Sequence, residues 1–333
     1  MSTSVALCTY NGSQFIAEQL QSIFLQSNQP MEIIISDDAS TDDTVSVVWK
    51  TWSEFRVRDP ANRMVLKILE NPTSLGVTFN FQQALETCSG ELIALCDQDD
   101  VWHPNRLRDA ELALANRAGS LLVHSNARLV DERGASLGYT LFKALEVSPV
   151  DIRAIQEGRA LDVYLRRNLA TGAATMIRRE LLASAVPFPS EWVHDEWLAM
   201  IAAIQGGVAV ITDPLIDYRQ HSRNQIGVAE PTLWRKVSRV LQPRGTRNEL
   251  IWERSRVLLV RLSHWSPPIS HDILNRIESK VAHDLVRARL PLNRFKRVSP
   301  VLREAVTGRY SRYSSRGRAD IIRDLLQPTS PQI

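Results

Sequence analysis

Leu92-Ile93-Ala94-Leu95-Cys96-Asp97-Gln98-Asp99-Asp100-Val101-Trp102 is the stretch on which the reading of this chain turns. Its apolar first half reads as a buried strand. The strand ends in three carboxylates within four residues. Crowded carboxylates oppose one another's ionisation unless a cation neutralises them. A hard divalent ion, Mg²⁺ or Mn²⁺, shared with substrate phosphates answers that need. The bland alternative is a solvated acidic turn ahead of a helix that starts near Pro104.

Working outward, the first half of the chain alternates strands with helices. Strands are expected at Val5–Cys8, Glu32–Ser36, Met64–Leu69, Glu91–Cys96 and Leu121–His124. Helices are expected at Ser13–Leu25, Asp42–Trp52, Val77–Cys88 and Pro104–Asn116. This alternation predicts an α/β fold with a mainly parallel central sheet covered on both faces. Ligands bind at the carboxyl ends of such strands. Thr9-Tyr10-Asn11, Asp37-Asp38 and Asp97-Gln98-Asp99-Asp100 each follow a predicted strand. They are therefore expected to meet at one edge.

Further on, Ala127–Tyr139 reads as a hairpin turning at Glu132-Arg133-Gly134, and residues 140–170 as helical. Gly172–Ile177 reads as a strand, Arg178–Ala185 and Asp195–Ile204 as helices, and Val208–Ile211 and Leu215–Tyr218 as two short strands. From Pro231 the pattern becomes one of arginine-rich amphipathic helices. Leu233, Val237, Val240 and Leu241 form one stripe beside Arg235, Lys236 and Arg239. Ile273, Ile277, Val281 and Leu285 form another, flanked by Arg276, Lys280, Arg287 and Arg289. The end beyond Gln327 is Pro- and Ser-rich and is expected to fray.

The 333 residues carry a net charge of +3, which conceals an asymmetry. Residues 1–228 hold 19 Lys and Arg against 28 Asp and Glu, whereas residues 229–333 hold 21 against 9. Three scattered cysteines, Cys8, Cys88 and Cys96, make neither a CxxC pair nor a zinc spacing, and read as buried reduced thiols. No signal peptide and no membrane-spanning run is expected. A cytoplasmic protein follows as the expectation.

Val5-Ala6-Leu7-Cys8-Thr9-Tyr10-Asn11-Gly12 before a helix resembles the opening of family 2 glycosyltransferases, the inverting enzymes of the GT-A nucleotide-diphospho-sugar transferase fold. Ile35-Ser36-Asp37-Asp38-Ala39-Ser40-Thr41-Asp42 is similar, as are Asn71-Pro72-Thr73-Ser74-Leu75-Gly76-Val77 with Asn80, Ser89-Gly90-Glu91, and the aspartate cluster. His194-Asp195-Glu196-Trp197-Leu198 resembles the family's acidic pair at a helix start. Tyr218-Arg219-Gln220-His221, followed by Asn224 and Gly227, resembles the rhamnosyltransferase-like branch. The resemblance covers residues 4 to about 227.

The resemblance implies a catalytic domain over 1–228, with a nucleotide-sugar half at about 1–125 and an acceptor half at about 126–228. Residues 229–333 follow as a basic helical region. It implies an inverting, metal-dependent transfer, with L-rhamnose from dTDP-rhamnose as the first expectation and a UDP-sugar as the alternative. The acceptor would be a glycan or a lipid-linked glycan of a growing surface polysaccharide. Asp99 and Asp100 would hold the metal, with Asp97 and His221 as further ligand candidates. Donor contacts would come from Thr9, Tyr10, Asn11, Asp37, Asp38, Asn80, Asp97, Asp99, Arg219 and His221.

Several roles have rivals. Asp38 suits the imide N–H of uracil or thymine, or the cap of the following helix. Tyr10 could stack on the base or sit at the core's edge. Asp195 matches the general base, with Glu196 as its rival; the alternative for Asp195 is a charge favoured by the helix dipole. His221 could equally be structural. Trp102 and Trp197 are either sugar-facing surfaces or core.

Competing classes are a phosphohydrolase of the haloacid dehalogenase type, whose Asp-x-Asp-x-Thr/Val pattern after an apolar strand is fitted by Asp97-Gln98-Asp99-Asp100-Val101, and a non-catalytic nucleotide-sugar-binding protein. The dehalogenase reading needs its aspartate on the first core strand, and here the cluster follows the fourth. No nucleic-acid motif accompanies the basic helices, so an anionic membrane surface or a homodimer is the partner they suggest. A peripheral position at the inner membrane's cytoplasmic face would follow from the first.

Overall fold

A computed structural model describes residues 1–221 and 245–328. The expected helix around Leu233–Leu241, Asn224 and Gly227, the 228/229 boundary and the last residues of the tail lie outside the described residues. The contacts divide the chain into two units. One comprises Met1–Ala160 and the chain from Leu169 to the end of its described segment at His221. The other comprises Leu161–Asn168 and the described residues from 245. The short segment 161–168 is a piece of the second unit that the sequence reading placed in the first.

The first unit opens with β1 (Thr3–Thr9), α1 (Ile16–Phe24), β2 (Glu32–Asp37), α2 (Thr44–Arg58), β3 (Val65–Glu70), α3 (Val77–Thr87) and β4 (Leu92–Asp97). It continues with β5 (Val101–Trp102), α4 (Arg106–Asn116), β6 (Leu122–Val130), β7 (Ser136–Thr140), α5 (Leu141–Ala144) and α6 (Pro149–Gln156), after which α7 (Ala160–Tyr164) belongs to the second unit from Leu161 on. The last elements are β8 (Thr175–Arg178), α8 (Leu182–Ala185), α9 (His194–Ile204) and β9 (Val208–Arg219).

These strands make one sheet in the order β3-β2-β1-β4-β8-β6-β9-β5, with β7 paired to β6. β3, β2, β1 and β4 run parallel, as the alternation of strand and helix requires. β8 then runs antiparallel to both β4 and β6, and β5 antiparallel to β9. The sheet is therefore mixed in its second half. Strand direction leaves no trace in a short apolar run such as Thr175–Arg178.

β1 is buried along its whole length, and β2 and β4 nearly so. Val5, Leu7, Ile33, Ile35, Ala94 and Cys96 pack on one face, against Ile16, Leu20 and Ile23 of α1 and Val48 of α2. The alternate positions face the other side, where α3 packs across β1 and β2. Truncating a residue such as Leu95, which is fully buried, would cost ~2–5 kcal/mol.

The two short strands expected at Val208–Ile211 and Leu215–Tyr218 are one strand. It passes Pro214 through register shifts against Ser125 and Asn126, and a proline is tolerated where the ladder is interrupted. Trp102 and Trp197 are both buried. Trp197 donates its indole N–H to the Ala185 carbonyl at 2.8 Å, and Trp102 lies under the Arg106 guanidinium. Neither is a sugar-facing surface.

The helical unit contains helices Arg247–Ser263, His271–Ala288, Arg294–Val306, Arg309–Tyr313 and Ala319–Leu326. Leu290, Val301 and Tyr310 form a small core. Some of its cations are turned inside. Lys280 and Arg287, expected on a solvated flank, are buried and paired with Asp284 at 2.8 Å and with Asp324 at 2.7 Å. Arg276 pairs with Asp162. Sequence spacing placed the apolar stripe of this helix correctly at Ile277, which is fully buried, but charged residues share its inner face. All three cysteines are buried and free. No helix among the described residues is long and apolar enough to cross a membrane.

Candidate active site

Strand register brings the expected segments to one edge. Thr9 at the end of β1 lies opposite Asp37 at the end of β2, and Cys8 lies opposite Asp97 at the end of β4. The carboxyl ends of three adjacent parallel strands thus carry the three polar turns.

Much of this polarity holds the turns themselves. Asp37 is buried and accepts from the Thr9 hydroxyl at 2.7 Å, the Ser40 hydroxyl at 2.6 Å and the Ser40 N–H at 2.8 Å. Asn11, at a φ of 48°, donates its N–H to the Ser40 hydroxyl and accepts from the Thr41 N–H. Asp38 accepts from the Ser74 hydroxyl at 2.6 Å, Leu75 N–H at 2.6 Å and Gly76 N–H at 3.0 Å. It thereby pins the loop that precedes α3. Gly76 has a φ of 77° there, where a side chain would be strained. Tyr10 stays 52% exposed at the same edge. Asn80 is the clearest correction: it is buried and spends its amide on the Ser36 hydroxyl and carbonyl and on Asn71. It ties α3 to β2 and presents nothing to a donor.

The aspartate loop is built from below. Arg106, at the start of α4, is buried and donates to the Leu95 carbonyl at 2.9 Å and the Ala173 carbonyl at 2.6 Å. Desolvation lowers its pKa to about 10, and the neighbouring carboxyls of Asp100 and Asp97 oppose that fall. The sequence reading missed this internal counter-charge, because a basic residue in a first helical turn looks like solvated surface.

Arg219 is a second internal cation. Its guanidinium donates to the Asp99 carbonyl and the Glu132 carbonyl, both at 2.8 Å, and to Glu18 at 2.6 Å, while its N–H donates to Asp100 Oδ1 at 3.0 Å. In this arrangement it braces the aspartate loop, the Glu132 turn and α1, where the sequence reading had it among the donor contacts. His221 holds Asp99 Oδ2 at 2.8 Å and stacks on Phe15.

The carboxylates act on one another across segments. Burial, then the charges of Asp99 and Asp195, push Asp97 up to about 7 against the pull of Arg106. Asp100 is raised well above the usual range by burial and by Asp99 and Asp97. Asp195, in the first turn of α9, therefore lies within electrostatic reach of the aspartate loop although it is nearly a hundred residues away in sequence. Its Oδ2 accepts from Gly172 N–H at 2.9 Å and its Oδ1 from Glu196 N–H at 2.6 Å. A Cβ on Gly172 would stand 2.7 Å from His194 Nε2 and 3.6 Å from Asp195 Cβ, so this approach needs glycine. Asp195 is buried, whereas Glu196 is only partly so. His194 is also buried, stacked on Phe81 at 3.8 Å, and desolvation lowers its pKa to about 3.

The donor set suits a cation shared with a ligand. Asp100 Oδ2 is buried and has no hydrogen-bond partner among the described residues. Yet no three His, Cys, Asp or Glu side chains among the described residues converge to hold an ion alone. Mg²⁺ is commonly held by one or two carboxylates together with substrate phosphates. Asp99 and Asp100 fit that pattern.

Residues 4–183 match the model of the family described as "Glycosyl transferase family 2". An uncharacterized protein of Mycobacterium tuberculosis is 28% identical over 224 residues, or 66% of this chain. The match spans 59% of the mycobacterial protein's length. The dTDP-rhamnosyl transferase RfbG of Shigella flexneri is 27% identical over 234 residues, which are 66% of this chain and 73% of RfbG. The crystal structure of S. aureus TarS 1-349 in complex with UDP-GlcNAc superposes with a TM-score of 0.58. That superposition covers 98% of this chain and 89% of TarS at 19% identity, a likeness of fold alone.

Proposed function

The chain belongs to glycosyl transferase family 2, and we propose that it is an inverting glycosyltransferase using a nucleotide-diphosphate sugar. The observation that carries this reading is a chain of hydrogen bonds: Gly172 N–H holds Asp195, and the carbonyl of the next residue, Ala173, shares the Arg106 guanidinium with the Leu95 carbonyl of β4, the strand that ends in Asp97. A proton acceptor and a cluster suited to a cation and a diphosphate thereby share one site.

In the proposed reaction an acceptor hydroxyl approaches Asp195, which takes its proton. The hydroxyl oxygen bonds to the anomeric carbon as the bond to the diphosphate oxygen breaks, and the nucleoside diphosphate leaves. One displacement inverts the anomeric centre. Gly172 N–H holds one Asp195 oxygen and the Glu196 N–H the other. Both bonds fix the orientation of the carboxylate. Asp99 and Asp100 would hold Mg²⁺ or Mn²⁺, with Asp97 and His221 beside them, and such an ion neutralises charge on the leaving diphosphate. Tyr10, with Thr9 and Asn11 setting its turn, would face the base. Asp38 would retain a lone pair for an imide N–H beyond its three present donors.

Rhamnose from dTDP-rhamnose is the donor we favour, on the string Tyr218-Arg219-Gln220-His221 and the similarity to RfbG. A UDP-sugar is the alternative, since uracil and thymine present the same imide edge. A surface-polysaccharide glycan, free or lipid-linked, is the proposed acceptor. The dehalogenase reading is disfavoured by chain order, because the cluster ends β4, the fourth strand, where that class needs its aspartate on the first. Release of nucleoside diphosphate from dTDP-rhamnose, measured with and without a glycan acceptor, tests the proposal. Acceptor-dependent release supports transfer, and acceptor-independent release of inorganic phosphate contradicts it.

A further inference from the structure

Helix Arg294–Val306 turns Arg297, Val301 and Glu304 into the helical unit. Its opposite side carries Phe295, Val298, Leu302 and Val306, which are 89%, 43%, 51% and 88% exposed. Their spacing of three, four and four residues puts all four on one line along the helix. Leu292, 64% exposed, extends the line at its start. Ile322 and Leu326 on helix Ala319–Leu326 are also exposed. Arg297 joins that helix to this one by donating to the Asp324 and Gln327 carbonyls at 3.1 and 2.8 Å.

Cations border the stripe. Arg294, Lys296 and Arg303 are exposed. The one carboxylate of this helix, Glu304, is buried and held by His283 at 2.7 Å and Arg309 at 3.2 Å. The exposed face is thus apolar along its middle, cationic at its margins and free of carboxylates. Across residues 245–328, 17 Lys and Arg stand against 8 Asp and Glu.

We infer that this face docks on an anionic phospholipid bilayer. Phe295, Leu302 and Val306 enter the headgroup–acyl boundary, and Arg294, Lys296 and Arg303 meet lipid phosphates. Apolar insertion and attraction to anionic headgroups together are what hold an interfacial helix. Charge complementarity selects this occupant over a second copy of the chain. A twofold contact through the stripe would bring its own cations together with no carboxylate to meet them. The inference stands apart from the transferase reading and rests on other residues.

Co-sedimentation of the full chain with vesicles tests it. One set is phosphatidylcholine alone, the other an equimolar mixture with phosphatidylglycerol. Partition onto the mixed vesicles should be about tenfold stronger or more and should weaken as salt rises. Phe295→Ser with Leu302→Ser should reduce it about tenfold or more, with the thermal midpoint unchanged because both side chains are exposed. Arg294→Ala, Lys296→Ala and Arg303→Ala together should remove the preference for phosphatidylglycerol. No sedimentation with either vesicle, equal binding to both, or binding untouched by the two sets of substitutions overturns the inference. So does a wild-type dimer that Phe295→Ser with Leu302→Ser turns into a monomer, because a second copy then covers the face.

Discussion

Gln98 clasps the backbone of Tyr10 from the aspartate loop. Its Oε1 accepts from the Tyr10 N–H at 2.9 Å, and its Nε2 donates to the Tyr10 carbonyl at 3.0 Å. Gly12 leaves the room, since a Cβ there would stand 2.0 Å from Gln98 Oε1. The loop at the end of β4 and the turn at the end of β1 are therefore one piece. Gln98→Ala should raise the donor KM several-fold while kcat falls less, because it releases the turn that carries Tyr10. Its stability cost should stay within about 1 kcal/mol per hydrogen bond lost at this open position. Steady-state kinetics beside a denaturation curve check both. An unchanged KM would mean Tyr10 is held without the clasp.

Arg106 is expected to matter for folding more than its place on a helix's first turn suggests. Arg106→Met keeps the bulk over Trp102 but leaves the polar groups around Leu95 without their cation. The affected groups are the Leu95 and Ala173 carbonyls and the charges of Asp97 and Asp100. Removing one partner from a buried charged network costs about 3–5 kcal/mol. Urea denaturation should show a loss of that order, and a loss under about 1 kcal/mol would refute the role.

His194 sets a pH dependence. Its folded pKa, about 3, lies below the ordinary value of 6.5, so the unfolded chain binds more protons between those limits. The stability of the neutral ring is complete above pH 6.5 and is lost as pH falls. His194→Leu removes that loss while keeping an apolar side chain against Phe81. Between pH 7 and pH 5 the parent should lose roughly 1–2 kcal/mol more than the variant. Parallel acid limbs in denaturant titrations would contradict this.

The rivalry at the start of α9 has a kinetic answer. Asp195→Asn should leave donor affinity intact and lower kcat by about 10²-fold or more. Glu196→Gln should lower it far less. If the two effects are exchanged, Glu196 is the base.

Much of this site was legible in the sequence. Apolar runs ending in polar turns placed β1, β2 and β4, and parallel pairing follows from the helices between them. That brought Thr9, Asp37 and Asp97 to adjacent strand ends. What stayed hidden was the inward use of polar side chains. Asn80, Arg106, Arg219, Lys280 and Arg287 are residue types usually exposed, and only long-range partners explain their burial. Asn80 meets Ser36 across 44 residues of sequence, and Arg219 meets Glu18 across 201. Periodicity reports which face a residue takes, not which distant group awaits it. β8 posed a related problem, since the residues of a strand do not encode its direction.

The central claim is that Asp100 belongs to a site for a nucleotide diphosphate and a divalent cation. Thermal unfolding of the chain with dTDP-rhamnose or a UDP-sugar, with Mn²⁺ or Mg²⁺ and then with chelator, tests it most directly, because a ligand that binds only the folded state raises its stability. The account predicts a rise in midpoint for at least one nucleotide sugar that needs the cation and disappears in Asp100→Asn. A rise of equal size in Asp100→Asn, or none with any nucleotide sugar, would contradict it.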